Sequence, residues 1–307
     1  MNKMIKQQLP IILTVFLIVI MTATAELSGE REILFPEIAA IATGALISPK
    51  LAWKTNYIRL FVMICIGSVT GMFIVSYIHI PIGLQMSSAF LIASIIYQFS
   101  GTTFAPVISS VVLPVMLQTN SIVYPIAAAV LTLLILMMRW LIQMAGIKEK
   151  VEFVPEQMPD KKKMTDMFIG WGVGSIVIIA AVYSGVKFAA APPLLVAFTE
   201  FRKPGSPVQK KAVKLASLII GCAFIGTALR YIFSMMNSYL FVAAGITILI
   251  VCITMKKTGM FVPPAAALSV LAFLIPEKAV ITYPLQIAAG TIILVAASLI
   301  LANKSYN

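Results

Sequence analysis

Phe261-Val-Pro-Pro-Ala-Ala-Ala-Leu-Ser-Val-Leu-Ala-Phe-Leu-Ile-Pro276 is an apolar run with a proline pair near its start and another proline at its end. A pair such as Pro263-Pro264 does not sit inside a helix, because each ring lacks a backbone N–H and meets the preceding turn. At a helix start the pair is welcome, since the first-turn N–H groups have no partner within the helix. The spacing predicts a helix of about 12 residues, roughly 18 Å long, too short to cross a hydrocarbon core of about 30 Å. Inside a membrane protein such a break is tolerated only where its free end is buried in protein or faces a cavity. The rest of the chain reads as if built around copies of this element.

Composition places the chain in lipid. Of 307 residues, 60% are hydrophobic and 11% charged, against about 25% charged in a soluble domain. The net charge of +12 does not point to nucleic acid, because Lys and Arg lie in short clusters between apolar runs, as cytoplasmic loops require. Cys65, Cys222 and Cys252 fall inside apolar runs and read as small buried hydrophobes, not as disulfides or metal ligands. The single histidine, His79, reads as interfacial, and one imidazole makes neither a metal site nor a triad. No His/Cys/Asp/Glu cluster and no nucleotide-binding glycine loop is found. The chain is therefore not read as an enzyme, with no catalytic residue, metal or cofactor expected. Lys3, Lys6, the apolar run 9–20 and Ala23-Thr24-Ala25 mimic a signal peptide. An uncleaved first span is preferred, because a counterpart recurs in mid-chain.

Six apolar segments, at about 9–27, 35–48, 57–79, 82–98, 103–117 and 121–145, precede a polar stretch at 148–166. Six more follow at about 167–186, 188–201, 212–236, 238–255, 260–276 and 279–302. Short and long runs come in the same order twice, and prolines recur at a shift of about 156 to 159 positions. Phe35-Pro36 falls on Ala191-Pro192, Ser48-Pro49 on Ser206-Pro207, Ala105-Pro106 on Pro263-Pro264, and Tyr124-Pro125 on Tyr283-Pro284. Gly71 lies near Gly226, and Gly101 on Gly259. The expected fold is an all-α polytopic membrane protein of about 12 membrane segments. These form two parallel six-segment repeats, with four short Pro-started helices. The expected divisions are a first membrane repeat at 1–147, a cytoplasmic linker at 148–166 and a second repeat at 167–307.

Charge sets the orientation. The loop 26–32 is acidic, whereas Lys50, Lys54 and Arg59, the linker lysines, Arg202 and Lys203, Lys210, Lys211 and Lys214, and Lys256-Lys257 form basic clusters. With both termini cytoplasmic, every basic cluster falls inside. The expected location is a cell membrane crossed many times, in a bacterium.

Three stretches resemble the HPP family of integral membrane proteins, named for a His-Pro-Pro motif. Pro192-Pro193 through Glu200-Phe201-Arg202-Lys203-Pro204-Gly205-Ser206-Pro207-Val208-Gln209-Lys210 is similar to the family's segment ending in a Pro-x-Ser-Pro loop. Val262-Pro263-Pro264-Ala265-Ala266-Ala267-Leu268 resembles the His-Pro-Pro-Ala-x-Ala block, with Val262 where the histidine would stand. Tyr283-Pro284-Leu285 resembles the opening of the family's last span. The resemblance covers 170–302 well and 12–145 more faintly. It implies a multi-span, carrier-like protein; some family members are linked to nitrite uptake.

The proline starts at Pro36, Pro106, Pro192-Pro193 and Pro263-Pro264 are the candidate substrate contacts. Each is expected to present unpaired N–H groups and a positive dipole end, worth about 0.3–2 kcal/mol per anion contact. The alternative is that these prolines only shape tight turns. Ser100, Thr102, Thr103, Ser109 and Ser110, with Thr258 and Ser269, offer hydroxyl donors without a buried charge, or simply pack between helices. Arg230 either neutralises an anion in an outer vestibule or snorkels. Glu37 at a helix start stabilises the dipole, or takes a proton in a coupled carrier. Glu200, Arg202 and Lys203 read as a surface pairing. Gly67, Gly71, Gly221 and Gly226 permit close helix packing.

The functional expectation is a secondary carrier or channel for a small solute, an anion such as nitrite. The alternatives are a non-transporting scaffold or regulatory protein and an exporter of organic acids. Expected partners are the small-molecule or ion substrate and the lipid bilayer, with a homo-oligomer left open.

Overall fold

In a computed structural model, residues 3–150, 152–203, 206 and 208–304 are described. Among them there is no strand, and eight helices are long and apolar enough to cross a membrane. These are α1 (Lys3–Ser28), α3 (Tyr57–Tyr77), α4 (Ile82–Phe99), α6 (Val123–Met144), α7 (Lys161–Tyr183), α9 (Val208–Met235), α10 (Leu240–Thr258) and α13 (Tyr283–Lys304). Between them lie four short buried helices: α2 (Glu37–Ala42, continued by a π-turn at Thr43–Ile47), α5 (Pro106–Leu117), α8 (Pro192–Phe201) and α11 (Pro263–Leu271). A one-turn helix, α12 (Glu277–Val280), leads into α13. Pro207, paired above with Pro49, and Pro204-Gly205 lie outside the described residues, as do Met1 and Asn2.

Burial separates the two classes of helix. Long helices turn Ile12, Phe16, Phe73, Trp140, Ile176 and Ile300 outward, as an apolar belt suited to lipid. The short helices are enclosed almost all round, so their unpartnered ends must be satisfied by protein. Cations supply much of this at the C-terminal ends, where the helix dipole is negative. The Arg139 guanidinium donates to Ala45 O, and Lys148 Nζ to Ser48 O, at the end of α2. Lys187 Nζ donates to Met116 O at the end of α5, 3.1 Å. Arg230 donates to Ala272 O and to Ile275 O, the latter at 2.7 Å, beyond α11.

Arg230 also accounts for a boundary that differs from expectation. The helix anticipated to reach Pro276 stops at Leu271, because the next carbonyls are taken by the guanidinium and by tight turns such as Phe273 N–H to Val270 O, 2.9 Å. The α7 helix begins six residues before the expected segment, since the Asp160 side chain caps the Lys163 N–H at 2.8 Å.

Packing crosses from one half of the chain to the other. α1 packs on α10 and α4 on α7, while α2 packs on α11 and α5 on α8. At the first contact a Cβ on Gly245 would lie 2.6 Å from Val19 Cγ2, and at the second a Cβ on Gly174 would lie 2.4 Å from Phe90 Cε1. Glu26, at the end of α1, accepts from the N–H groups of Leu240 and Phe241, both at 2.9 Å, and so caps α10. The acidic loop of the sequence is thus partly a cap. Gly67, Gly71 and Gly226 do sit at close approaches. Gly221 does not: a Cβ there would meet nothing within 4 Å, and the residue opens onto a shallow groove.

Candidate functional site

Lys163, Arg202, Lys203 and Lys211 surround two clefts. The first, about 320 Å3, is lined by Tyr97, Thr103, Glu156, Lys163, Arg202 and Lys203 among others. The second, about 590 Å3, lies beside Trp53, Glu200, Lys203, Phe261, Val262 and Pro263. Among the described residues, Lys203 alone lines both.

Local structure fixes Lys203 where α8 ends. Its ammonium lies 5.2 Å from the centre of the Tyr97 ring and donates to Thr103 O at 3.4 Å. Burial alone would lower its pKa, but Tyr97, Glu200 and Glu156 outweigh burial and hold it above the ordinary lysine value. Arg202 beside it is paired with Asp166 at 2.6 Å and lies against Phe198. Glu200 accepts from Trp53 Nε1 at 2.8 Å, and Trp53 meets Phe104 edge-on at 5.1 Å. Glu200, Arg202 and Lys203 are therefore not a simple surface pairing, since each turns inward onto a different element.

The polar stretch before α7 lies over the first cleft. Glu156 N–H donates to Gly101 O at 2.9 Å, the Glu156 carboxylate sits 3.5 Å from Lys54 and 3.9 Å from Lys163, and Arg59 covers the Phe153 ring at 5.0 Å. Thr103 joins the same corner, accepting from Lys54 N–H at 2.8 Å and donating its own N–H to Lys54 O at 3.1 Å.

The helix starts differ from expectation in their donors. At α8 and α11 the proline pairs remove two N–H groups, and the next one is closed by a tight turn. Leu194 N–H donates to Ala191 O at 2.8 Å and Ala265 N–H to Val262 O at 3.0 Å. At α2, Ile38 N–H reaches Phe35 O at 2.9 Å, and at α5, Ile108 N–H reaches Ala105 O at 2.9 Å. The starts keep their positive dipole ends but have few free donors, because proline both deletes the N–H and sets the φ that favours a 3-10 turn.

Of the candidate contacts, Thr103 and Pro263 border the clefts, while Pro36, Pro106, Pro192, Pro193 and Pro264 are enclosed in the core. Ser269 is buried and donates to Ala266 O within its own helix, 2.8 Å. Arg230 is committed to backbone carbonyls, as described. His79 is exposed after α3. Glu37 and Ser109 come together: the Ser109 hydroxyl donates to Glu37 Oε1, with both residues 1% exposed. Sequence reasoning misses Tyr97, Trp53 and Arg139. A tyrosine, a tryptophan and an arginine near the ends of apolar runs are the available signal, and such residues are common at membrane interfaces.

No family model matches this chain, and no curated protein or solved structure does.

Proposed function

We propose that this chain is a secondary carrier or channel for a small anion, with the paired clefts at the basic end as its inner vestibule. The observation that carries the reading is Lys203, a cation shared by both clefts and set beside Thr103 at the approach to α5 and Val262-Pro263 at the start of α11. A desolvated ammonium there meets an incoming anion at a seam between halves, where rocking of one half against the other exposes the site in turn. The HPP-like stretches agree with transport and put nitrite among the anions to try.

The same reading takes each short helix, together with the turns and extended chain that flank it, as one crossing, giving twelve segments in two parallel copies. Supporting it, contacts such as Trp53 with Glu200 and Lys148 with Ser48 group at the basic end, and contacts such as Glu26 with Leu240 and Arg230 with Ile275 group at the other. The reciprocal packing of α1 on α10 and α4 on α7 is what a two-fold axis along the membrane normal produces. The basic end then faces the cytoplasm.

The test is uptake of nitrite, nitrate, formate and chloride into vesicles containing the purified protein. Lys203→Gln is expected to lower uptake at least tenfold, and Pro263-Pro264→Ala-Ala to lower it while the protein still folds. Vesicles that pass none of these anions, with or without a pH gradient, would overturn the proposal in favour of a scaffold that docks partners at its basic loops.

A further inference from the structure

We infer that the Glu37–Ser109 pair is the proton-binding site that couples this carrier, an inference that rests on the transport reading above. Glu37 opens α2 in the interior of the bundle, and one carboxyl oxygen accepts from Ser109 of α5. The other oxygen, Oε2, is fully buried and has no partner among the described residues. An oxygen of this kind is the place where a proton resides, because a buried polar atom without a partner is costly and an unpaired charge more so.

Among the described residues, the elements packed around α2 supply no counter-ion. α5 gives Ser109 and Ser110, and Ser110 donates to Val107 O. α6 gives Tyr124, whose hydroxyl donates to Ser110 O at 3.2 Å, and Arg139, which is held by Ala45 O at the opposite end of α2. α11 gives Ser269, turned onto its own helix, and the π-turn gives Thr43, turned onto Ala39 O. α1 gives Thr14 and Thr22, both on their own helix carbonyls, and Glu26, engaged by α10. The short turn before α2 carries Arg31 and Glu32, and Glu32 accepts from Thr119 at 3.4 Å.

Binding adds one proton to the carboxylate and release returns it to water, with only the O–H bond made or broken. Release needs water at Oε2, so it accompanies separation of α2 from α5. Once the site is wet, the dipole at the start of α2 favours the carboxylate and assists the release. At the shifted positions of the second half stand Pro193 and Ala267. One such site, and one coupled proton, is therefore assigned per chain.

The test uses the full chain in two arms. Infrared spectroscopy of the purified protein at neutral pH is expected to show a protonated-carboxyl C=O band that disappears in Glu37→Gln, a variant whose amide oxygen still accepts from Ser109. In vesicles, nitrite, nitrate or formate uptake driven by a pH gradient is expected to fall at least tenfold in Glu37→Gln and to return in part in Glu37→Asp. A missing band, a Glu37→Gln protein within twofold of the wild type under the gradient, or uptake driven by a sodium gradient alone overturns the inference. Wild-type vesicles that pass no anion overturn the transport reading instead, and the coupling role falls with it.

Discussion

The two halves of the chain solve one packing problem alike and then part company. In the first, Tyr124 on α6 donates to Ser110 O of α5 and meets Phe35 edge-on at 5.5 Å. In the second, Tyr283 on α13 donates to Leu268 O of α11 at 2.7 Å and meets Phe188 edge-on at 5.5 Å. Gly101 and Gly259 both take positive φ, 64° and 65°, beyond α4 and α10, a backbone state that favours glycine. The differences lie in the polar groups. Among the described residues, only the first half places a carboxyl and a hydroxyl together in its core, and the arginine clamps hold different helix ends, Arg139 of α6 that of α2 and Arg230 of α9 that of α11. The shared parts are those that let short helices pack tightly. The unshared parts are those that can exchange a proton or hold a broken end.

Adding a methyl group tests the shared part most severely. A Cβ on Gly71 would lie 2.3 Å from Val111 O, and one on Gly226 would lie 2.1 Å from Ser269 O. Backbone oxygens cannot swing aside, so Gly71→Ala and Gly226→Ala should each cost about 3 kcal/mol in denaturant unfolding in detergent. A large loss in one and none in the other would break the likeness between halves. Next come the clamps. Arg230→Ala strands two buried carbonyls and should cost about 2–3 kcal/mol, and Arg139→Ala strands one and should cost about 1–2 kcal/mol. An Arg230→Ala protein of unchanged stability but lowered anion uptake would return that residue to a vestibule role. Tyr124→Phe and Tyr283→Phe should then each cost about 1 kcal/mol, by the same unfolding measurement.

The smallest effect is a pH dependence at Lys148, beside the end of α2. Burial, then the charges of Arg139 and Lys256, lower the Lys148 pKa from its ordinary 10.5 to about 8. Between these values the unfolded chain binds more protons, so Lys148 opposes folding below about pH 8 and that opposition is relieved as pH rises toward 10.5. A stability profile in Lys148→Met should lack this rise, which is modest because the side chain is only half buried. An identical slope in both proteins would remove Lys148 from the account.

The long helices were legible because apolar length is a strong signal, and the proline pairs at Pro192 and Pro263 marked two short starts to the residue. What sequence did not disclose was how the starts and ends are satisfied. The 3-10 closures onto Ala191 O and Val262 O use the first N–H after each proline pair, which the prolines favour but which a reading of free helix-start donors overlooks. Arg139 lies in an apolar run whose partner, Ala45 O, is distant in the chain. The alignment of Phe35-Pro36 with Ala191-Pro192 does not disclose that Phe188, three positions before Ala191, takes the edge-on place against tyrosine that Phe35 takes in the first half. Glu37 was visible as a charge at a helix start, but its neighbour Ser109 was one hydroxyl among many until the fold brought them together.

The crossed pairing of α1 with α10 bears on how the chain is made. When the ribosome has released the first half, α1 still lacks the neighbour it will finally hold, and more than 200 residues separate Glu26 from the Leu240 amide it caps. The nascent N-terminal portion must therefore wait in the bilayer with a flank open to lipid or to an insertion factor. Two fragments divided within 148–160 and expressed together should find each other, whereas either one alone should be short-lived.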